Sequence, residues 1–443
     1  MPRSTGVVGV LVLTAFFLLT PSARAADGGL SLEDSIRYAL SSNERALKAP
    51  LRVNAAEGQL DRARASFLPN LTATGSGTLR TLAGTTGDRS PLTVTGSATL
   101  SQSIVNMPSF PLYAQASHQL DSERYGAKQD RRVLAFDVAR AYLQTLTAER
   151  LLEAATRRLE RAKANLDNAT GRAEAQLASV NDATRANIEM TTSQREVAQA
   201  QGTVTRAYVN LEYLVRRTVT GPLSPPDVMN RDAEQFSTRL DELVRTALER
   251  RPDLKAATER TLALQASARE PLYRLFPSLG VQGQIRTTVD PTPPDRGHDE
   301  SALLTLTWVA FDGGARYGDH RTRTAQAESQ ALDESLLRRG VETEIRLALA
   351  SLKAARESFK ISEDAVVFAQ KNTEETEILY RQGLARAIEV TDATARRFDA
   401  EVARATARLQ MQQAWLELRF SLGLAPLGVD IDAPQAARSG EAR

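Results

Sequence analysis

The chain has 443 residues carrying 56 basic and 54 acidic side chains, and the two signs alternate along it, which excludes the basic stripe of a nucleic-acid binder. It contains no cysteine and three scattered histidines (His118, His298 and His320), which excludes disulfides, a thiol nucleophile, a lipid-acceptor Cys and a histidine metal site. No phosphate-binding loop, nucleophile elbow or paired-histidine helix occurs, so no enzyme activity and no cofactor are expected.

The N-terminus pairs Arg3 with the apolar run from Val7 to Leu19, followed by Ala23-Arg24-Ala25. This is the pattern of a secretory signal peptide, so residues 1–25 are expected to be removed on export. No later apolar run approaches the ~20 residues of a spanning helix.

Residues 26–218 read as a first structural repeat and residues 238–424 as a second, joined by a Pro-rich linker at 219–237. Leu32 and Pro69 return as Leu240 and Pro277, and Tyr208, Leu211 and Tyr213 return as Trp415, Leu418 and Phe420. A spacing of about 207 residues is far longer than the 20–50 of a solenoid unit. It implies an internal duplication, two copies of one module packed side by side.

Each copy opens with amphipathic helix and passes into two stretches of period two. In the first copy these are LTATGSGTL (71–79) and LTVTGSATL (92–100), in which small or apolar residues alternate with Ser and Thr. The second copy offers LGVQGQI (279–285) and ALLTLTWVAF (302–311), with Trp308 placed to anchor at a membrane interface. Gly-, Pro- and Asp-rich loops join each pair into a hairpin. Alternating strands of about ten residues are the signature of an outer-membrane barrel. Four strands cannot close one, and an open edge in lipid leaves backbone groups unsatisfied, so such strands must be shared among chains.

Beyond the strands the period becomes 3.5. Val138, Thr145, Leu152, Leu159 and Leu166 step by seven, with Ala141, Ala148, Ala155, Ala162 and Ala169 three residues behind. The return helix repeats this with Met190, Val197, Val204 and Leu211. The second copy keeps Ile345, Leu352, Phe359 and Val366 beside Ala348, Ala355, Ser362 and Ala369. Strict heptads predict coiled-coil packing. A helix from Tyr113 to Arg172 would be ~90 Å long, the length of a rod or tube. The Ala-, Gly- and Pro-containing tail at 425–443 is expected to be disordered.

Three features carry a family resemblance: the duplicated halves, a Pro-x-Leu turn into each strand pair, and LSQSIVN (100–106) answered by LTWVAFDGG (306–314). The most specific stretch is YRQGLARAIEVTDAT (380–394), matched in the first copy by QLASVNDATRA (176–186). Over about 28–424 the chain resembles the TolC-like outer membrane efflux protein family. The resemblance implies a mainly α fold with β strands. Long antiparallel helical hairpins would form a trimeric α-barrel, and each chain would add four strands to a shared 12-stranded transmembrane β-barrel. It implies a homotrimer in the outer membrane lipid of a Gram-negative cell, extending into the periplasm. Such a duct gives passive exit for drugs, metals or polypeptides, and docks on an inner-membrane pump through a periplasmic adaptor protein.

By the family pattern, Glu389 and Asp392 would form an acidic ring at the periplasmic tip. Tyr380 and Asp182 occupy two positions of the network that holds the tip closed. Ala385 stands where the family has an arginine, with Arg386 adjacent, a departure from the family pattern. Tyr380 also continues the heptad Phe359, Val366, Thr373, and the two roles are compatible. The copies differ at the tip, where Gly383 answers Gln176. The alternative function is a periplasmic coiled-coil adaptor or scaffold, which also uses long hairpins.

Overall fold

The computed structural model describes residues 30–79, 92–237, 239–289 and 297–427. The expected signal peptide, the strand-pair loops at 80–91 and 290–296 and most of the expected disordered tail lie outside the described residues. In the first copy the elements are α1 (Leu32–Ser42), α2 (Glu44–Ala65), β1 (Asn70–Leu79), β2 (Leu92–Val105), α3 (Ser109–Glu174) and α4 (Val180–Val215). The linker carries α5 (Asp227–Gln235). The second copy has α6 (Leu240–Arg250), α7 (Pro252–Tyr273), β3 (Ser278–Val289), β4 (His298–Thr307), α8 (Ala315–Arg381) and α9 (Ala387–Ser421).

Local chemistry sets the short helices. Ser31 caps α1, its Oγ accepting from the Asp34 amide at 3.1 Å. Asn43 ends α1 and begins α2, its Oδ1 accepting from Arg45 N at 2.9 Å while its Nδ2 donates to the Leu214 carbonyl at 2.9 Å. The second copy breaks at the same place by different means, with Pro252 supplying the first residue of α7.

The long helices follow the heptads. α3 runs for 66 residues and α8 for 67, about 100 Å each at 1.5 Å per residue. The alanine column is the fully packed one: Ala141, Ala148, Ala155, Ala162 and Ala169 are all buried, whereas Leu152, Leu159 and Leu166 are only partly so. Small side chains let α4 and α9 approach α3 closely.

The four strands form one antiparallel sheet in the order β1-β2-β3-β4. The helices above them take the same lateral order, α2 beside α3, α3 beside α7 and α7 beside α8. Each strand therefore continues one helical stave. β4 is shifted from the expected 302–311: it begins at His298 and ends at Thr307, where Ser278 begins its partner strand. Beyond Thr307 the chain turns through Gly313 and Gly314, at φ 72° and 90°. Positive φ at two successive positions favours glycine at both.

The main core lies at mid-length of the long helices. Phe136, Tyr142 and Leu143 of α3 pack there with Ile345 of α8, and Met411, Leu416 and Leu418 of α9 join them. Met229 and Ala233 of α5 enter the same core, so the linker between copies is tied into it. Arg132 fastens α3 to the end of α9: Nε donates to Leu424 O at 3.2 Å, and the guanidinium lies 4.4 Å over the Phe420 ring. Burial is the main reason its pKa is lowered to about 10.

Candidate functional site: the strand sheet and the helix tips

The strand register sorts the sheet into two faces. On one face lie Leu71, Leu100, Gly283 and Ala302 in one row and Ala73, Ala98 and Ile285 in the next. Val105, Leu279 and Leu306 close this apolar face at the helical end. The other face carries Thr72, Thr99, Gln284 and Ser301, then Thr74, Ser97, Arg286 and Asp299. Thr74 and Ser97 hydroxyls meet at 2.7 Å, and Arg286 lies 3.6 Å from Asp299. One face thus suits lipid and the other water. Among the described residues Leu303 departs from the pattern on the polar face, and Gln102, Glu300 and His298 depart from it on the apolar one.

Aromatic rings collect where strands meet helices. Phe67 packs on Phe110 with centroids 5.2 Å apart, and Tyr273 on Phe276 at 6.2 Å. Trp308 and Phe311 stand exposed just past β4, and the Trp308 indole donates to Leu275 O at 3.0 Å. This is the composition of an interfacial belt. Among the described residues no helix is long and apolar enough to cross a membrane.

At the opposite end both hairpins turn by the same device. Gln176 and Gly383 take left-handed backbone, φ 56° and 77°. Leu177 N donates to Arg172 O, and Leu384 N to Leu379 O, each at 2.8 Å. These six-to-one bonds close both helices. Ser179 then caps α4, accepting from Asn181 N at 3.2 Å, whereas Arg386 opens α9 without a side-chain cap bond.

Glu389 and Asp392 lie in the first two turns of α9, three residues apart on one face and both exposed. Asp392 is paired with Arg396 at 3.0 Å. Asp182 sits half-buried in the first turn of α4. Tyr380 is buried against Ala387 and Val390, with Ala385 packed on this cluster. Its hydroxyl has no hydrogen-bond partner and so makes no bond to Asp182. The tyrosine is held instead by Arg172 of the first copy, which donates to Tyr380 O at 3.0 Å and lies 4.9 Å over its ring. Arg172 was not singled out in the sequence, although its place in the last turn of α3 is one where a cation suits the helix dipole.

Further up, the hairpins are joined by charge. Glu401 of α9 receives Arg157 of α3 at 3.2 Å and Arg397 of α9 at 3.1 Å. Arg158, almost fully buried, binds Glu189 at 2.8 Å and Glu196 at 2.9 Å while its guanidinium lies 4.8 Å from the Phe398 ring centroid. Burial raises the Glu196 pKa above the usual carboxylate range despite the arginine.

An amphipathic sheet continued stave by stave into two helical hairpins about 100 Å long defines a channel-forming protein whose wall changes from strand to helix. The chain belongs to the outer membrane efflux protein family, whose family model matches residues 36–215 and 243–424. It is 27% identical to protein CyaE of Bordetella pertussis over 360 residues, covering 77% of this chain and 73% of the relative. It is 25% identical to the probable efflux pump outer membrane protein TtgC of Pseudomonas putida, covering 89% and 83%. The fold matches the crystal structure of a membrane protein from Pseudomonas aeruginosa with a TM-score of 0.76, at 21% identity, over 91% of this chain and 98% of the other. The protein is therefore an outer-membrane efflux channel and not an enzyme, and no feature favours the periplasmic adaptor alternative.

Proposed function

We propose that three copies assemble into a duct that carries solutes passively from periplasm to exterior. The observation that carries this is the sheet itself. Among the described residues β1 and β4 are its outer strands, each with one edge unpaired, and in lipid every unsatisfied backbone group costs several kcal/mol. Three four-stranded sheets joined edge to edge give the 12-stranded barrel of the family. The helical edge supports the same reading, because α8 exposes Leu332, Leu336, Leu347, Ile361 and Phe368. An apolar stripe of that length on a lone chain calls for a neighbour.

The tip is the gate in this reading. Glu389 and Asp392 from three chains would put six carboxylates around the entrance and favour cations. Arg172 on Tyr380 holds the second hairpin against the first. The tip would meet a periplasmic adaptor bound to an inner-membrane pump, in keeping with the relative described as a probable efflux pump outer membrane protein. Residues 219–237 link two quasi-equivalent halves.

Membrane fractionation and gel mobility test the assembly. A heat-resistant trimer band in the outer-membrane fraction that collapses to monomer only on boiling is expected; a soluble monomer would overturn the proposal.

A further inference from the structure

Between the hairpins, just inside the tip, lies a cleft of about 190 Å³ lined from α3, α8 and α9. That is room for roughly six waters at ~30 Å³ each. From α3 come Arg161, Asn165 and Asn168; from α8 come Glu377, Tyr380 and Arg381; Thr394 completes the polar lining from α9. Two of these groups are buried without partners: the Tyr380 hydroxyl, on a residue only 6% exposed, and Nε and Nη2 of Arg161.

The unpartnered arginine atoms specify a ligand. Nε and Nη2 lie on one edge of the guanidinium, the edge that grips a carboxylate with two parallel N–H donors. Arg158, one turn away, uses the same two atoms on Glu189, at 3.0 and 2.8 Å. Charge points the same way. Glu377 lies 3.8 Å from Arg381, and Glu401 is engaged by Arg157 and Arg397, so both acids act on Arg161 through space and neither grips it in an ion pair. Burial lowers the Arg161 pKa, and the positive charge of Arg397 adds to this. A half-buried cation without a counter-charge in contact is costly, and an anion bound to it lowers that cost.

We propose that this cleft binds a small monocarboxylate, gripped by the Nε–Nη2 edge of Arg161 and hydrogen-bonded by the Tyr380 hydroxyl. One net positive charge on the lining, from two arginines and one glutamate, matches a monoanion. The amides of Asn165 and Asn168 and the Thr394 hydroxyl offer further donors. Because Arg161 belongs to the first hairpin and Tyr380 to the second, the bound anion ties one to the other. Its effect on conduction rests on the proposed tip gate, whereas the binding does not.

The test uses the full-length protein in detergent with trifluoroacetate as probe, read by fluorine NMR line width and competed with acetate. Saturable broadening is expected. Arg161→Gln should weaken it at least about tenfold, the value of a charge-assisted bond pair, and Tyr380→Phe about threefold. Arg161→Lys, which keeps the charge and loses the fork, should also weaken it, while Arg408→Gln at another cleft should not. Circular dichroism at unchanged helicity separates loss of binding from loss of fold. No saturable broadening, meaning a cleft holding water alone, overturns the site, and so does binding that Arg161→Gln leaves intact. Planar-bilayer recording then reads the gate. Acetate should lower the open probability of the wild type and leave Arg161→Gln unaffected; binding without that response keeps the site and overturns the tip gate.

Discussion

Gln176 and Gly383 occupy equivalent turns 207 positions apart and share one left-handed backbone conformation, φ 56° and 77°. The turn is thus set by the helix-closing hydrogen bonds and not by glycine alone. A Cβ on Gly383 would meet nothing within 4 Å, so only backbone strain opposes a side chain there. Gly383→Ala is expected to weaken the second tip by ~1–2 kcal/mol, the cost of left-handed backbone for an L-residue. Gln176→Gly should stabilise the first tip slightly, by up to ~1 kcal/mol, because relief of that strain is only partly offset by ~0.5–1 kcal/mol of added chain entropy. Hydrogen exchange at the Leu384 and Leu177 amides measures both, and equal exchange in Gly383→Ala and wild type would refute the strain argument.

The Arg172 contact makes a sharper demand on function. Its bond to Tyr380 O and its stacking on the ring together are worth about 1–3 kcal/mol. Arg172→Ala should therefore raise the open probability of single channels severalfold or more. Arg172→Lys should fall between, since an ammonium keeps the hydrogen bond and loses the planar stack. Unchanged gating in Arg172→Ala would remove this residue from the latch.

For the acidic ring, Arg396 provides a control specific to this chain. It pairs with Asp392 at 3.0 Å, an exposed contact of little stability but of direct effect on local charge. Glu389→Ala with Asp392→Ala should lower cation preference in reversal-potential measurements, and Arg396→Ala should raise it. Opposite signs for the two changes are required; the same sign would mean that these side chains do not face the conduction path.

What the sequence made legible follows from period. The heptads give the tip-side parts of α3 and α8, from Val138 and Ile345 onwards, and period two gives the sheet with its two faces. β4 was misplaced because the run 302–311 stays apolar past Thr307, and only the start of its partner at Ser278 ends the pairing. The arginines that join the hairpins were not legible. Arg158 and Arg172 read as a solvated helix face until α9 or the tip of α8 is laid against them, and their acceptors or rings lie 31 to 240 residues away. The alanine column was readable as a packing device, but which neighbour it admits is a property of the assembled hairpins. Tyr380 was legible from its position in a motif, whereas the contact of Arg172 with its carbonyl and ring was not.

The Arg158 cluster gives the final expectation, and its sign can be worked out. One arginine, 8% exposed, serves Glu189 and Glu196 at side-chain exposures of 12% and 22%. Arg158→Met leaves two carboxylates facing each other in a partly buried site and should destabilise the hairpin pair by about 3 kcal/mol. Glu196→Gln should be far milder, because Glu189 still satisfies the arginine. Burial raises the Glu196 pKa above its ordinary 4.5, so between 4.5 and the raised value the folded chain holds more proton than the unfolded one. Stability from this group is therefore full at low pH and declines as pH rises through that window. Glutamine does not titrate, so the stability of Glu196→Gln relative to wild type should improve as pH rises from about 4.5 towards 7. Denaturant midpoints of the two proteins at several pH values measure the crossing, and a gap that is constant with pH would show that Glu196 titrates alike in both states.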